Sequence, residues 1–85
     1  MQPEEIKQLI EAGIVGSEVM VKIDDGGHIW VTVVSETFEG QSALNKERTV
    51  HAALGDAVTS GAIHAIHIKS HTPDEWKTAS KMQVS

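Results

Sequence analysis

The sequence predicts an α+β domain, with helices packed on one face of a three-stranded mixed sheet. Three observations lead there. Two short segments of alternating apolar and polar residues flank Asp24-Asp25-Gly26-Gly27, the signature of an antiparallel hairpin. A segment of helical period follows and leads into a third, more apolar strand; such a crossover usually pairs parallel neighbours. Helix-start signals open the chain and recur after that third strand. The predicted order is α-β-β-α-β-α.

The first helix opens at Pro3, which suits the first helical position, with Glu4 and Glu5 at the positive end of the helix dipole. Ile6, Leu9, Ile10 and Gly13 recur at i, i+3, i+4 and i+7 and share one face. Gly13 and Gly16 read as the stop. Gly13-Ile14-Val15-Gly16 matches the GxxG loop of nucleic-acid-binding KH domains, but it is apolar and leads into a strand, so it reads as a helix end. From Glu18 to Asp24 the chain alternates, with Val19, Val21 and Ile23 on one side and Met20 and Lys22 on the other. His28 to Ser35 is the return strand; Ile29, Val31 and Val33 share one face, and Trp30, Thr32 and Val34 the other.

Glu36 to Gln41 breaks the pattern and reads as a connecting loop. Ser42 caps the middle helix, whose core face is Val50, Ala53, Leu54, Ala57 and Val58, and Thr59-Ser60-Gly61 closes it. The third strand runs from Ala62 to about Ser70. Thr72 caps the last helix, Glu75 completes a capping box and Pro73 takes the first helical position. Trp76 and Ala79 are its docking residues. Residues 1–80 read as one domain, and the polar stretch 81–85, with Ser80 before it, as a frayed tail.

Composition narrows the function. A chain of 85 residues makes one small domain. It has no cysteine, which excludes disulfides, cysteine zinc sites and a thiol nucleophile within the chain. The acidic N-terminal stretch, with no apolar run behind it, is unlike a signal peptide, and a cytoplasmic soluble protein is expected. Seven Lys and Arg against twelve Asp and Glu give a formal charge of −5, which argues against general binding to nucleic acid. Lys46 and Arg48, with Glu47 between them, are the candidate phosphate contacts if such binding exists. No nucleophile elbow and no phosphate-cradling glycine loop is present, so an enzyme is not expected.

Five histidines are many for this length. Alternation along the third strand puts His64 with Ile66 and Ile68, and His67 with Ile63, Ala65 and Lys69. His64 and His67 therefore point to opposite faces and cannot chelate one ion together. His64 and His28 each lie near the start of a strand. If those strands are parallel neighbours, both imidazoles reach the same end of the sheet. Two ligands are too few for a closed structural site, so a partner would complete it, and binding would need neutral imidazoles. The plain alternative is an ordinary strand histidine and an ordinary turn histidine, and composition alone favours it. His51 and His71 read as surface residues.

Val33-Val34-Ser35, Phe38-Glu39-Gly40, Ala52-Ala53-Leu54, Ile63-His64-Ala65 and Thr72-Pro73-Asp74-Glu75-Trp76 occur in an order and spacing that resemble the BolA-like proteins. The resemblance runs from about Ile6 to Trp76, and the short Asp24–His28 hairpin is most like a bacterial acid-stress subgroup. It implies a fold similar to class II KH domains. It also implies a monothiol glutaredoxin as partner, with a [2Fe-2S] cluster shared between the two. The glutaredoxin cysteine and a glutathione thiol supply part of the ligation in such complexes, and the histidine of the Ile-His-Ala motif, here His64, supplies another ligand. A second comes from the loop between the first two strands, where His28 is the candidate. Imidazole ligands raise the potential of such a cluster. The family is also described as transcriptional regulators that bind DNA through a helix-turn-helix-like surface including the middle helix. Many members carry Arg-His-Arg where this chain has Lys46-Glu47-Arg48, and the glutamate weakens that surface's basic character.

Overall fold

The computed structural model describes residues 2–55 and 66–83. Helix α1 spans Pro3–Gly13, strand β1 Glu18–Ile23 and strand β2 Ile29–Val34. A single 3-10 turn, Glu36–Phe38, precedes helix α2, Ala43–Leu54; strand β3, Ile66–His71, and helix α3, Pro73–Gln83, follow. The sheet order is β1-β2-β3. β1 pairs antiparallel to β2 from Glu18↔Val34 to Ile23↔Ile29, and β2 pairs parallel to β3 from Ile29↔Ile66 to Val34↔His71. The predicted α+β architecture and its mixed sheet are therefore what forms. Ala57, Val58, the helix close at Thr59-Ser60-Gly61, the first residues of the predicted third strand and His64 lie outside the described residues.

The core lies between the sheet and the first two helices. Ile6 and Ile10 from α1, Val50 and Leu54 from α2, and Val19, Ile29, Val31 and Val33 from the sheet form one buried cluster. Ile66 and Ile68 pack against it from β3. The alternation read from the sequence holds, because successive strand side chains point to opposite faces. The other face consequently turns Met20, Trp30, His67 and Lys69 to solvent.

Four sequence expectations change. Phe38, expected in a loop, is fully buried in the core. Ser35 makes this possible: its Oγ accepts from the Thr37 amide at 3.1 Å, starting a turn that swings the ring inward. A single 3-10 turn is too short to show a period, so only its burial reveals it. Helix α2 ends at Leu54 rather than near Thr59, with Gly55 in the left-handed region at φ 56°. The chain from Ser80 is helical as far as Gln83, not frayed from there. Val34, expected on the open face, is buried, in a groove it lines with Val15, Pro73 and Trp76 at the far end of the sheet from the hairpin.

Gly13 does more than stop α1. A Cβ built there would sit 2.7 Å from the Ala53 Cβ and 3.1 Å from its Cα. The missing side chain is what lets α1 and α2 approach closely, and the Ala53 methyl has no rotamer by which to yield. Gly13→Ala therefore forces the helices apart. We expect a net loss of roughly 1–3 kcal/mol from overpacking, despite the better helix propensity of alanine. Urea unfolding would show this as a lower midpoint; a midpoint equal to or above that of the parent protein would contradict the packing role.

Candidate functional site

The β1–β2 hairpin is built around one carboxylate. The Asp24 amide donates to the His28 carbonyl at 3.0 Å, and the Gly27 amide donates to the Asp24 carbonyl at 3.0 Å, which closes the turn. Gly27 lies in the left-handed region at φ 80°, where a side chain would be strained. Asp24 Oδ1 accepts from the amides of Gly26 and His28, both at 2.9 Å. Asp24 Oδ2 accepts from the indole Nε1 of Trp30 at 3.0 Å and lies 3.4 Å from Nδ1 of His28. An aspartate that binds its own loop amides is ordinary turn chemistry. This one also reaches the side chain of His28 in the loop and that of Trp30 in the following strand. The Trp30 indole and then the His28 amide hold its carboxyl below the usual value of 3.8, at about 2.

The parallel pairing of β2 with β3 adds a fourth residue. Trp30 and His67 are register partners, and their rings stack at 4.2 Å with 15° between planes. His28 meets His67 edge-on, with 5.7 Å between centroids and 78° between planes. Asp24, His28, Trp30 and His67 thus form one cluster where β2 and β3 begin, on the solvent-facing side of the sheet. The sequence set His67 aside because it faces away from Ile66 and Ile68. That parity is correct, but it says nothing of the neighbouring strand. The register that places Trp30 opposite His67 is the signal that identifies this residue.

The histidine of the hairpin has the chemistry of an open ligand. Its side chain is 50 % exposed, and Nδ1 faces the carboxylate, so Nε2 is turned away from it. Among the described residues no group of three or more His, Asp or Glu side chains is disposed to hold an ion alone. The donor that His28 offers, a single half-exposed imidazole backed by a carboxylate, fits a group held jointly with another molecule. His51 and His71 are half-buried rather than fully on the surface: His51 lies 3.8 Å from Glu47, and His71 tilts against Trp76 at 5.6 Å.

Lys46 and Arg48 have separate fates on α2. Lys46 Nζ donates to Glu75 Oε1 at 2.8 Å and Oε2 at 3.1 Å, and its side chain is only 12 % exposed. Glu75 also closes the predicted capping box, since its Oε1 accepts from the Thr72 amide at 2.7 Å and its own amide donates to Thr72 Oγ1 at 3.2 Å. Lys46 is therefore a tie between α2 and α3, and Arg48 is the exposed cation of the pair. Lys46 and then the Thr72 amide hold the Glu75 carboxyl at about 2, below its ordinary 4.5. A carboxyl depressed in the folded state stabilises above its unfolded pKa, and that contribution is lost as pH falls through the folded value. Glu75→Gln keeps an acceptor for the capping box but removes the charge. Because the carboxylate is half exposed, the loss at neutral pH should be only about 0.2–1 kcal/mol. Between pH 4.5 and about 2 the parent protein should lose stability more steeply than the variant, measured by urea unfolding across that range. Parallel curves would show that the pair contributes nothing.

The family model described as BolA-like protein matches residues 16–75. The acid stress protein IbaG of Escherichia coli K12 is 35 % identical over 82 residues, spanning 96 % of each chain. A solved bolA protein homologue from Coxiella burnetii superposes with a TM-score of 0.76 at 42 % identity, covering 91 % of this chain and 97 % of the other. The solution structure of yeast Fra2 gives a TM-score of 0.71 at 28 % identity, covering 89 % and 84 %.

Proposed function

The chain belongs to the BolA-like family, and on that basis we propose that it is an adaptor which binds a monothiol glutaredoxin and shares a [2Fe-2S] cluster with it through His28 and His64. The observation that carries the reading is the placement of His28. It is half exposed, backed by Asp24, and stands where β2 and β3 begin side by side. An imidazole held this way offers one nitrogen outward to a group brought by a partner. The partner's cysteine and a glutathione thiol complete the ligation, and no second metal cage is required of this chain. When bound, the cluster supplies one-electron chemistry and a transferable iron–sulfur unit, with a potential raised by imidazole ligation.

The protein's own residues do the rest. Asp24 holds the hairpin and the His28 ring together, and the uncovered sheet face beside them leaves room for a partner to approach. The adaptor would act in iron–sulfur trafficking or in an iron or acid-stress response; the acid-stress name of the IbaG relative supports the last of these. A cytoplasmic site of action accords with this, and no helix among the described residues is long and apolar enough to cross a membrane. The family's other role, DNA-binding regulation through Lys46 and Arg48, is the weaker reading. Lys46 is engaged by Glu75, and the chain carries a formal charge of −5.

Mixing the protein with cluster-loaded monothiol glutaredoxin and recording visible circular dichroism tests the proposal. The parent protein should give a spectrum distinct from that of glutaredoxin alone. His64→Ala and His28→Ala should each lose that spectrum and release the cluster faster. Unchanged spectra and retention in both variants would sink the ligand assignment.

A further inference from the structure

From the hairpin geometry we infer that Asp24 is a positioning residue for His28: it fixes the imidazole with its proton on Nδ1, so that bare Nε2 is the nitrogen presented outward. The functional meaning of this rests on His28 being a ligand, as proposed above; the tautomer itself does not.

A neutral histidine carries one ring proton, and the nitrogen without it is the one able to bind a metal. Which nitrogen that is depends on the hydrogen bond made by the other. Asp24 Oδ2 lies 3.4 Å from Nδ1, within ion-pair contact and long for a hydrogen bond. A carboxylate is an acceptor only, so a proton on Nδ1 is the arrangement that satisfies it. The carboxylate is not at liberty to turn. Both loop amides hold Oδ1, and the Trp30 indole, a donor only, holds Oδ2 from the strand side. The ring is braced from one side: His67 lies across it at 78°, itself stacked on Trp30. The β3 imidazole therefore flanks the ring, and the carboxylate selects its protonated nitrogen. This is the arrangement by which a carboxylate behind a ligating histidine sets its tautomer and orientation.

Asp24→Asn separates this role from the turn. The asparagine carbonyl oxygen can still accept from the Gly26 and His28 amides, so the hairpin is kept. Its NH2 group would take the place of Oδ2 and donate to Nδ1, which stabilises the opposite tautomer, while the Trp30 indole, a donor only, would lose its acceptor. The full chain, nitrogen-15 labelled and free of metal, is examined by two-bond proton–nitrogen correlation near pH 8, where an ordinary imidazole is neutral. His28 should carry its proton on Nδ1 in the parent protein and predominantly on Nε2 in Asp24→Asn, with backbone amide shifts unchanged away from the hairpin, Trp30 and His67. In the mixed glutaredoxin complex the same variant should weaken cluster retention roughly 10–100-fold. A parent His28 protonated on Nε2, or a tautomer that Asp24→Asn leaves unchanged, overturns the inference. His28→Ala in the mixed complex keeps the two claims apart. Cluster loss there with an unaltered tautomer in Asp24→Asn overturns the positioning role alone. A retained cluster with an inverted tautomer leaves Asp24 its hold on the ring and overturns the assignment of His28 as ligand.

Discussion

Strand β2 bonds antiparallel to β1 on one side and parallel to β3 on the other. The antiparallel edge is made by a five-residue hairpin loop, which delivers Asp24 and His28 at the start of β2. The parallel edge requires the chain to cross the sheet through α2, and it returns with β3 beginning beside β2. The two connections therefore bring together side chains almost forty positions apart in the chain, Trp30 against His67. The same central strand buries Ile29, Val31 and Val33 on its inner face, so its register cannot slip by one residue without exchanging core for solvent. Packing of the inner face thus fixes the alignment of the aromatic and imidazole rings on the outer one.

Two carboxylates do most of the polar work, and each serves local and non-local partners at once. Asp24 closes its own turn and also engages Trp30 and His28. Glu75 caps its own helix and also ties it to Lys46 on α2. The first arrangement holds a half-exposed histidine beside a carboxylate, as the proposed shared site requires. The second withdraws a cation from the surface that would meet phosphate. Together they favour an adaptor over a nucleic-acid binder.

Features set by neighbouring residues were legible in the sequence. The Asp24–Gly27 turn and the Thr72–Glu75 capping box need only a few consecutive positions, and both form as read. Parity within β3 was also correct, since Ile66 and Ile68 face the core and His67 does not. Three features lay beyond that range. Phe38 enters the core through one turn, too short to carry a period. Gly13 matters through the Ala53 methyl on another helix, a contact with no local mark. His67 joins His28 only through the register of two strands, which parity on one strand does not contain. The family resemblance, carried by ordered short motifs, was legible as well, but it drew attention to His64 and His28, gave Asp24 only a place in the hairpin and left Trp30 and His67 unremarked.

The central claim is that imidazoles of this chain bind a cluster held jointly with a glutaredoxin. Pulsed electron paramagnetic resonance of the reduced mixed complex, with only this chain labelled at its histidines with nitrogen-15, tests it most directly. The account predicts strong nitrogen couplings from two directly bound imidazoles, with frequencies that shift on labelling, and the loss of one of them in His28→Ala. Couplings indifferent to the label, or absent, would contradict it.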